Sequence, residues 1–165
     1  MNPPLQLESY FYTKINVQAA PPSALPKEEE KFEVNVNVST TIKKKTHKEN
    51  SKRWMVNLTI SADSPSDKPI PYKVDLEIVG FFEVVADLEK PKMANLVHVT
   101  GASILYSAAR EMVLMLTGRG PWAQWSLPTI SFMNMKQETH ITTKPDLPKN
   151  SEIDASKKED IRAVE

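Results

Sequence analysis

The sequence predicts an α+β fold, a four-stranded antiparallel sheet covered on one face by a long helix. Three observations carry that expectation. Apolar and polar residues alternate with period two in stretches upstream of residue 85. From Ile104 to Leu116 the apolar positions recur instead at helical spacing. Thirteen prolines against four glycines fall mostly between these periodic segments, which marks stiff connecting loops.

The first strand is expected over Tyr10 to Ala19, where Ile15, Val17 and Ala19 alternate with Asn16 and Gln18. Prolines in Ala20 to Lys27 (APPSALPK) end it and favour an extended crossing loop, which the acidic run Glu28 to Glu30 keeps solvated. The second strand is the clearest. Phe32, Val34, Val36, Val38, Thr40 and Ile42 alternate with Glu33, Asn35, Asn37, Ser39 and Thr41, giving one buried and one wet face. A basic turn, Lys43 to Arg53, reads as a solvated hairpin tip. The third strand follows over Trp54 to Asp63, with Trp54, Val56, Leu58, Ile60 and Ala62 on one face. The fourth runs from Tyr72 to Val85, and its phase break at Gly80 suggests a bulge or a close backbone approach. The long loop after the first strand permits that strand to pair out of sequence, in a Greek-key order.

The helix is expected to open at Gly101 with Ser103 as its N-cap and to run to about Thr117, where Gly118 suits a left-handed exit. Ile104, Leu105, Ala108, Ala109, Met112, Val113, Met115 and Leu116 form its apolar stripe. Tyr106 and Leu114 lie off that stripe, and Arg110 and Glu111 are the charges inside the helix. A helix apolar on nearly all sides is buried on nearly all sides. Tyr106, Arg110 and Leu114 are therefore expected to meet a second copy of the chain, the alternative being that the helix plugs only its own sheet.

With 165 residues the chain is expected to hold one folded domain, over residues 1–135. The tail from Lys136 to Glu165 has too few large apolar residues to offset its ordering entropy and is expected to stay disordered. Basic and acidic residues balance at 21 each, so net charge gives no reason to expect nucleic acid. Cysteine is absent, which excludes disulfides and thiolate metal sites. The start MNPPLQLESY lacks a basic and then apolar leader, and no run approaches a membrane span, so a cytoplasmic location is expected.

No residue pattern supports catalysis. His47, His98 and His140 show no ligand spacing, so no metal and no cofactor is expected. Ser103 is better explained as a cap than as a nucleophile, and no base partner accompanies it. Asp75 and Glu77 share one face of the fourth strand and read as a solvent-facing acidic patch. What remains is apolar binding. Trp122, Trp125 and Leu127 occupy a proline-bracketed loop, followed by Phe132, Met133 and Met135. Aromatics with flexible methionines make a surface that repacks around varied apolar segments. For Trp125 and Leu127, closing the core is an equal alternative, while Met133 and Met135 are expected to be exposed. Phe32, directly after the acidic loop, is placed as the opposite wall of a groove.

The run Ile104-Leu105-Tyr106-Ser107-Ala108-Ala109-Arg110-Glu111, then Thr117-Gly118-Arg119-Gly120, then Leu127-Pro128 and Ser131-Phe132, resembles the helix and following loop of the SecB family of export chaperones. Tyr12-Thr13-Lys14, Ala20-Pro21 and Gly80-Phe81-Phe82 resemble its first and fourth strands, so the likeness covers roughly Leu7 to Met135. The resemblance implies a Greek-key sheet with a short second helix after the loop, and a client groove between crossing loop and final helix. It also implies a homotetramer built as a dimer of dimers. Its members are ATP-independent holdases that keep unfolded precursors competent for export through SecA, with no nucleic acid bound and no insertion into the membrane. SecA docks on the polar face of the fourth strand, where Asp75 falls on the family's acidic position with Glu77 beside it. The first strand, which supplies acids for that docking, here reads KINVQA and holds none. Two other functions fit the same residues: a SecB-like chaperone dedicated to one client such as an antitoxin, and a non-chaperone assembly adaptor.

Overall fold

The computed structural model describes residues 3–24, 33–44, 52–65, 69–135 and 138–139. Four long strands, β1 (Leu5–Ala19), β2 (Asn35–Lys44), β3 (Arg53–Asp63) and β4 (Tyr72–Val84), precede the helical segment, and a two-residue β5 (Glu138–Thr139) follows it. They form one sheet in the order β1-β4-β3-β2-β5. The four long strands are antiparallel to their neighbours and β5 lies parallel to β2. The first strand thus pairs out of sequence, beside β4. β1 ends at one edge of the sheet and β2 opens on the far side of β3, next to β5.

Strand β1 begins five residues earlier than its sequence pattern suggests, at Leu5 rather than Tyr10. Register shifts between Leu7 and Ser9 and between Tyr12 and Lys14 explain why. Each inserts an extra residue and resets the alternation. Leu5, Leu7, Tyr10, Tyr12, Ile15, Val17 and Ala19 all lie opposite the buried β4 positions Val84, Phe82, Gly80, Ile78, Leu76, Val74 and Tyr72. The irregularities therefore belong to β1, and the β3–β4 register passes Gly80 unbroken. Gly80 serves a close approach instead: a Cβ there would stand 2.7 Å from Leu105 Cδ2 and 2.8 Å from Phe82 Cε2.

The helix is longer than its apolar periodicity predicts. It comprises α1 (Lys90–Leu96), a wide π turn (Val97–Gly101) and α2 (Ala102–Thr117), continuous in backbone. Ser103 is therefore not an N-cap. Its hydroxyl donates back to the Val99 carbonyl at 2.6 Å, and Gly101 lies inside the helical run. Pro91 in the first turn of α1 occupies a position that needs no amide donor. Gly118 leaves the helix in the right-handed region, at φ −64°, with its amide bonded to the Leu114 carbonyl. The left-handed exit is not used.

The core lies between α2 and one face of the sheet. Val56, Leu58, Ile60, Leu76, Ile78, Phe82, Leu105, Ala109 and Val113 are fully buried there, each large side chain contributing about 1.5–3 kcal/mol. No second helix follows the loop among the described residues. Phe132 plugs the core, residues 132–135 turn, and the chain then lies along β2 as β5. Apart from β5, the expected tail lies outside the described residues.

Candidate functional site

After Gly118 the chain doubles back along α2 as a strap over residues 118–132, held by side chains of the helix in reverse order. Thr117 Oγ1 donates to the Val113 carbonyl at 2.7 Å and accepts the Trp125 amide at 3.1 Å. Arg110 Nε donates to the Leu127 carbonyl at 3.0 Å, and the Tyr106 hydroxyl to that of Pro128 at 2.7 Å. Burial raises the Tyr106 phenol above its ordinary pKa, against a smaller opposing effect of Arg110, and keeps it in the donating form. Leu127 and Phe132 drive into the core. Phe132 meets Tyr106 and His98 edge-on, at centroid distances of 5.8 and 6.5 Å.

His98 sits in the wide turn and completes the line. It is 1% exposed, and its Nε2 lies 2.8 Å from Thr40 Oγ1 of β2. Burial holds its pKa below the usual histidine value. Sequence spacing gave it no role; its position shows a packing one, joining helix, strap and β2. Among the described residues no group of three histidines, cysteines or acids is placed to hold a metal.

The expected apolar site divides. Leu127 and Phe132 are core residues, which resolves the alternative left open for Leu127. Trp122 is half-buried and pinned by its indole N–H to the Ala20 carbonyl at 2.8 Å, while its amide donates to the Tyr72 hydroxyl at 3.1 Å. Trp125 is half-buried at the core margin. Met133 stands open at 76% exposure, and Met135 packs half-buried against the margin. In the sequence two residues separate Met135 from β5, which lies on the β2 edge. Phe32 lies outside the described residues. Met133 is thus the open apolar side chain of this turn, while Met135, Ile130, Val36 and Val38 are half-buried against the core.

Tyr106 and Arg110, expected to meet a second copy, are engaged by the strap of their own chain, and Leu114 is half-buried. The open flank of α2 is the opposite one, toward β1. Ile104, Ala108, Glu111 and Met115 lie there, with Met115 half exposed. On β1 the inward positions Leu7, Tyr10 and Ile15 remain exposed as well. Burial, reinforced by the charges of Tyr10 and Glu111, pushes the Tyr12 phenol up to about 12. Sequence reasoning missed this band because the two register shifts scatter its residues over both parities.

On the far face of the sheet the acidic pair is answered within the chain. Lys14 of β1 forms an ion pair with Asp75, and Glu77 Oε1 accepts the Asn57 side-chain amide at 3.0 Å.

The family model described as preprotein translocase subunit SecB matches residues 1–142. The chain belongs to the SecB family. An uncharacterized protein of Methanocaldococcus jannaschii is 24% identical over 111 residues, covering 67% of this SecB-family chain and 70% of the relative. Among solved structures, the SecB-like chaperone Rv1957 of Mycobacterium tuberculosis, in complex with a ChAD peptide from the HigA1 antitoxin, superposes with a TM-score of 0.56. It is 16% identical, and the match covers 76% of this chain and 90% of that one, a likeness of fold. In this SecB-family protein, no helix among the described residues is long and apolar enough to cross a membrane.

Proposed function

We propose that this SecB-family protein is an ATP-independent holdase that binds unfolded polypeptides through the apolar margin beside β2. The observation that carries the reading is the contrast within one short loop: Phe132 is anchored in the core while Met133, the next residue, is 76% exposed. A rigid frame thus presents a flexible, polarizable side chain to solvent. Such contacts are individually weak and undemanding of shape, which suits reversible binding of varied clients. The exposed band on α2 and β1 supports assembly with further copies, as the tetramer of the family resemblance requires, and the absence of cysteine agrees with work in the cytoplasm.

Delivery of clients to SecA is the export reading. The dedicated reading, in which one client such as an antitoxin is guarded, draws support from the Lys14–Asp75 pair, which neutralises the acid that would receive a basic partner. The antitoxin peptide on the M. tuberculosis chaperone points the same way. Light scattering of a chemically unfolded, unrelated protein tests the holdase. Saturating suppression of aggregation, weakened by Met133→Ser with Met135→Ser, is the expected result, and no suppression at any ratio leaves the assembly adaptor in front. Titration with purified SecA then separates the two routes: the ion pair predicts no measurable complex until Lys14→Glu is introduced.

A further inference from the structure

The chain contains seven methionines and no cysteine. A reactive thiol, where one is present, takes up oxidant ahead of most other groups. Without one, the softest electron pairs in the molecule are the methionine thioethers, and access decides which of them reacts. Among the described residues that access is uneven. Met55, Met93, Met112 and Met135 are half-buried, Met115 is 52% exposed and Met133 is 76% exposed. Met115 lies on the band toward β1, where copies that pack together would shield it.

The fold makes Met133 a place where oxidation changes the surface and not the structure. Phe132, the preceding residue, is fully seated in the core. The turn itself is held through backbone atoms: the Met133 amide donates to Ser131 Oγ, and the Met135 amide to the Phe132 carbonyl, both at 3.4 Å. The Met133 side chain takes no part in the hydrophobic core, so an oxygen added to its sulfur displaces nothing packed. That oxygen turns a flexible apolar tip into a strongly polar sulfoxide. A sulfoxide must give up water when an apolar segment settles on it, and the contact then costs what it formerly contributed.

We propose that Met133 is a reversible oxidation site, and that its sulfoxide weakens the hold of the chain on apolar clients. The proposal rests on the client-binding reading above and adds its regulation by peroxide. The step is a two-electron oxidation of Met133 Sδ. A sulfur lone pair attacks one peroxide oxygen, and the S–O bond forms as the O–O bond breaks. The departing hydroxide takes the proton of the transferred hydroxyl and leaves as water. Enzymatic reduction by a dithiol returns the thioether, with a disulfide and water as the other products.

The test doses the full chain with hydrogen peroxide and maps added oxygen on each methionine by peptide mass spectrometry. Light scattering follows suppression of aggregation of an unrelated unfolded protein in parallel. Of the methionines after Met1, Met133 is expected to be oxidised first, ahead of Met115 and about tenfold or more faster than Met112. With Met133 oxidised, half-suppression should need about threefold to tenfold more of the chain. Methionine sulfoxide reductases with a dithiol should restore it, and the urea midpoint should stay where it was. Met133→Leu, compared with its own untreated level, should not respond to peroxide, whereas Met115→Leu should respond as the native chain does. A response that survives in Met133→Leu, or earlier oxidation of Met115, would overturn the assignment of the site. Unchanged suppression by a chain fully oxidised at Met133 would remove the switch while leaving the holdase intact. A urea midpoint that falls with oxidation would trace the loss to unfolding and likewise remove the switch. An untreated chain that suppresses nothing would overturn the holdase reading and the switch together.

Discussion

On the flank of α2 that faces the strap, Tyr106, Arg110 and Thr117 each hold a particular backbone atom. On the flank toward β1, Ile104, Ala108 and Met115 offer apolar surface, part of it open to solvent. Hydrogen bonds are directional and allow one arrangement, whereas apolar surface is indifferent to direction and accepts several. The difference teaches that this helix fixes its own loop with polar groups and leaves its adaptable surface for partners.

The sharpest way to break the strapped flank is to remove its plug. Phe132→Ala is expected to cost about 3–5 kcal/mol, since the cavity would open beneath Tyr106 and His98; urea denaturation followed by tryptophan fluorescence measures it. A cost below about 1 kcal/mol would mean that the strap is not seated as described. Next comes Thr117→Val, which keeps the branched shape but orphans the Trp125 amide. It should cost about 1–3 kcal/mol in the same assay.

Acid gives a smaller and directional effect on the same flank. Burial keeps the folded-state pKa of His98 below its unfolded value of about 6.5. Between those two values the unfolded chain binds the extra proton, so stability falls as pH drops from about 6.5 until the folded pKa is passed. Denaturation midpoints at several pH values should show this loss in the native chain and a reduced slope in His98→Gln. An identical slope in both would locate the titration elsewhere. The open flank completes the comparison with the smallest expected change. Met115→Ser should alter the unfolding free energy of the folded chain by less than about 0.5 kcal/mol, while sedimentation reports whether assembly weakens. A larger stability loss without any change in assembly would place Met115 in the core.

Much of this architecture is legible in the sequence, and the exceptions have local causes. β2 and β3 declare themselves because their period-two pattern is unbroken and one face is covered, and β4 does so from Tyr72 to Ile78, before the break in its pattern at Gly80. The first five residues of β1 do not, since Leu5, Leu7 and Tyr10 share a face only across an extra residue. The segment Lys90–Leu96 escapes notice because it buries no residue and begins beside a proline. Within the site, the openness of Met133 was legible from its place after the last core position. Leu127 was ambiguous, because an apolar loop reads alike whether it turns inward or outward. The deciding information sits in Tyr106 and Arg110, which point at loop carbonyls that no periodicity reveals.

The wide turn at Val97–Gly101 has a further consequence for anyone counting along this helix. A π turn holds one residue more than an α turn, so it behaves as a one-residue insertion within an otherwise uninterrupted rod. Successive α-helical residues are about 100° apart, and the extra residue therefore offsets α1 from the phase of α2 by about that angle. A heptad frame carried backward from α2 would assign the wrong inward face to Met93, Ala94 and Leu96. Removing one residue from the turn would swing the whole of α1 about its own axis while leaving α2 and its strap in place.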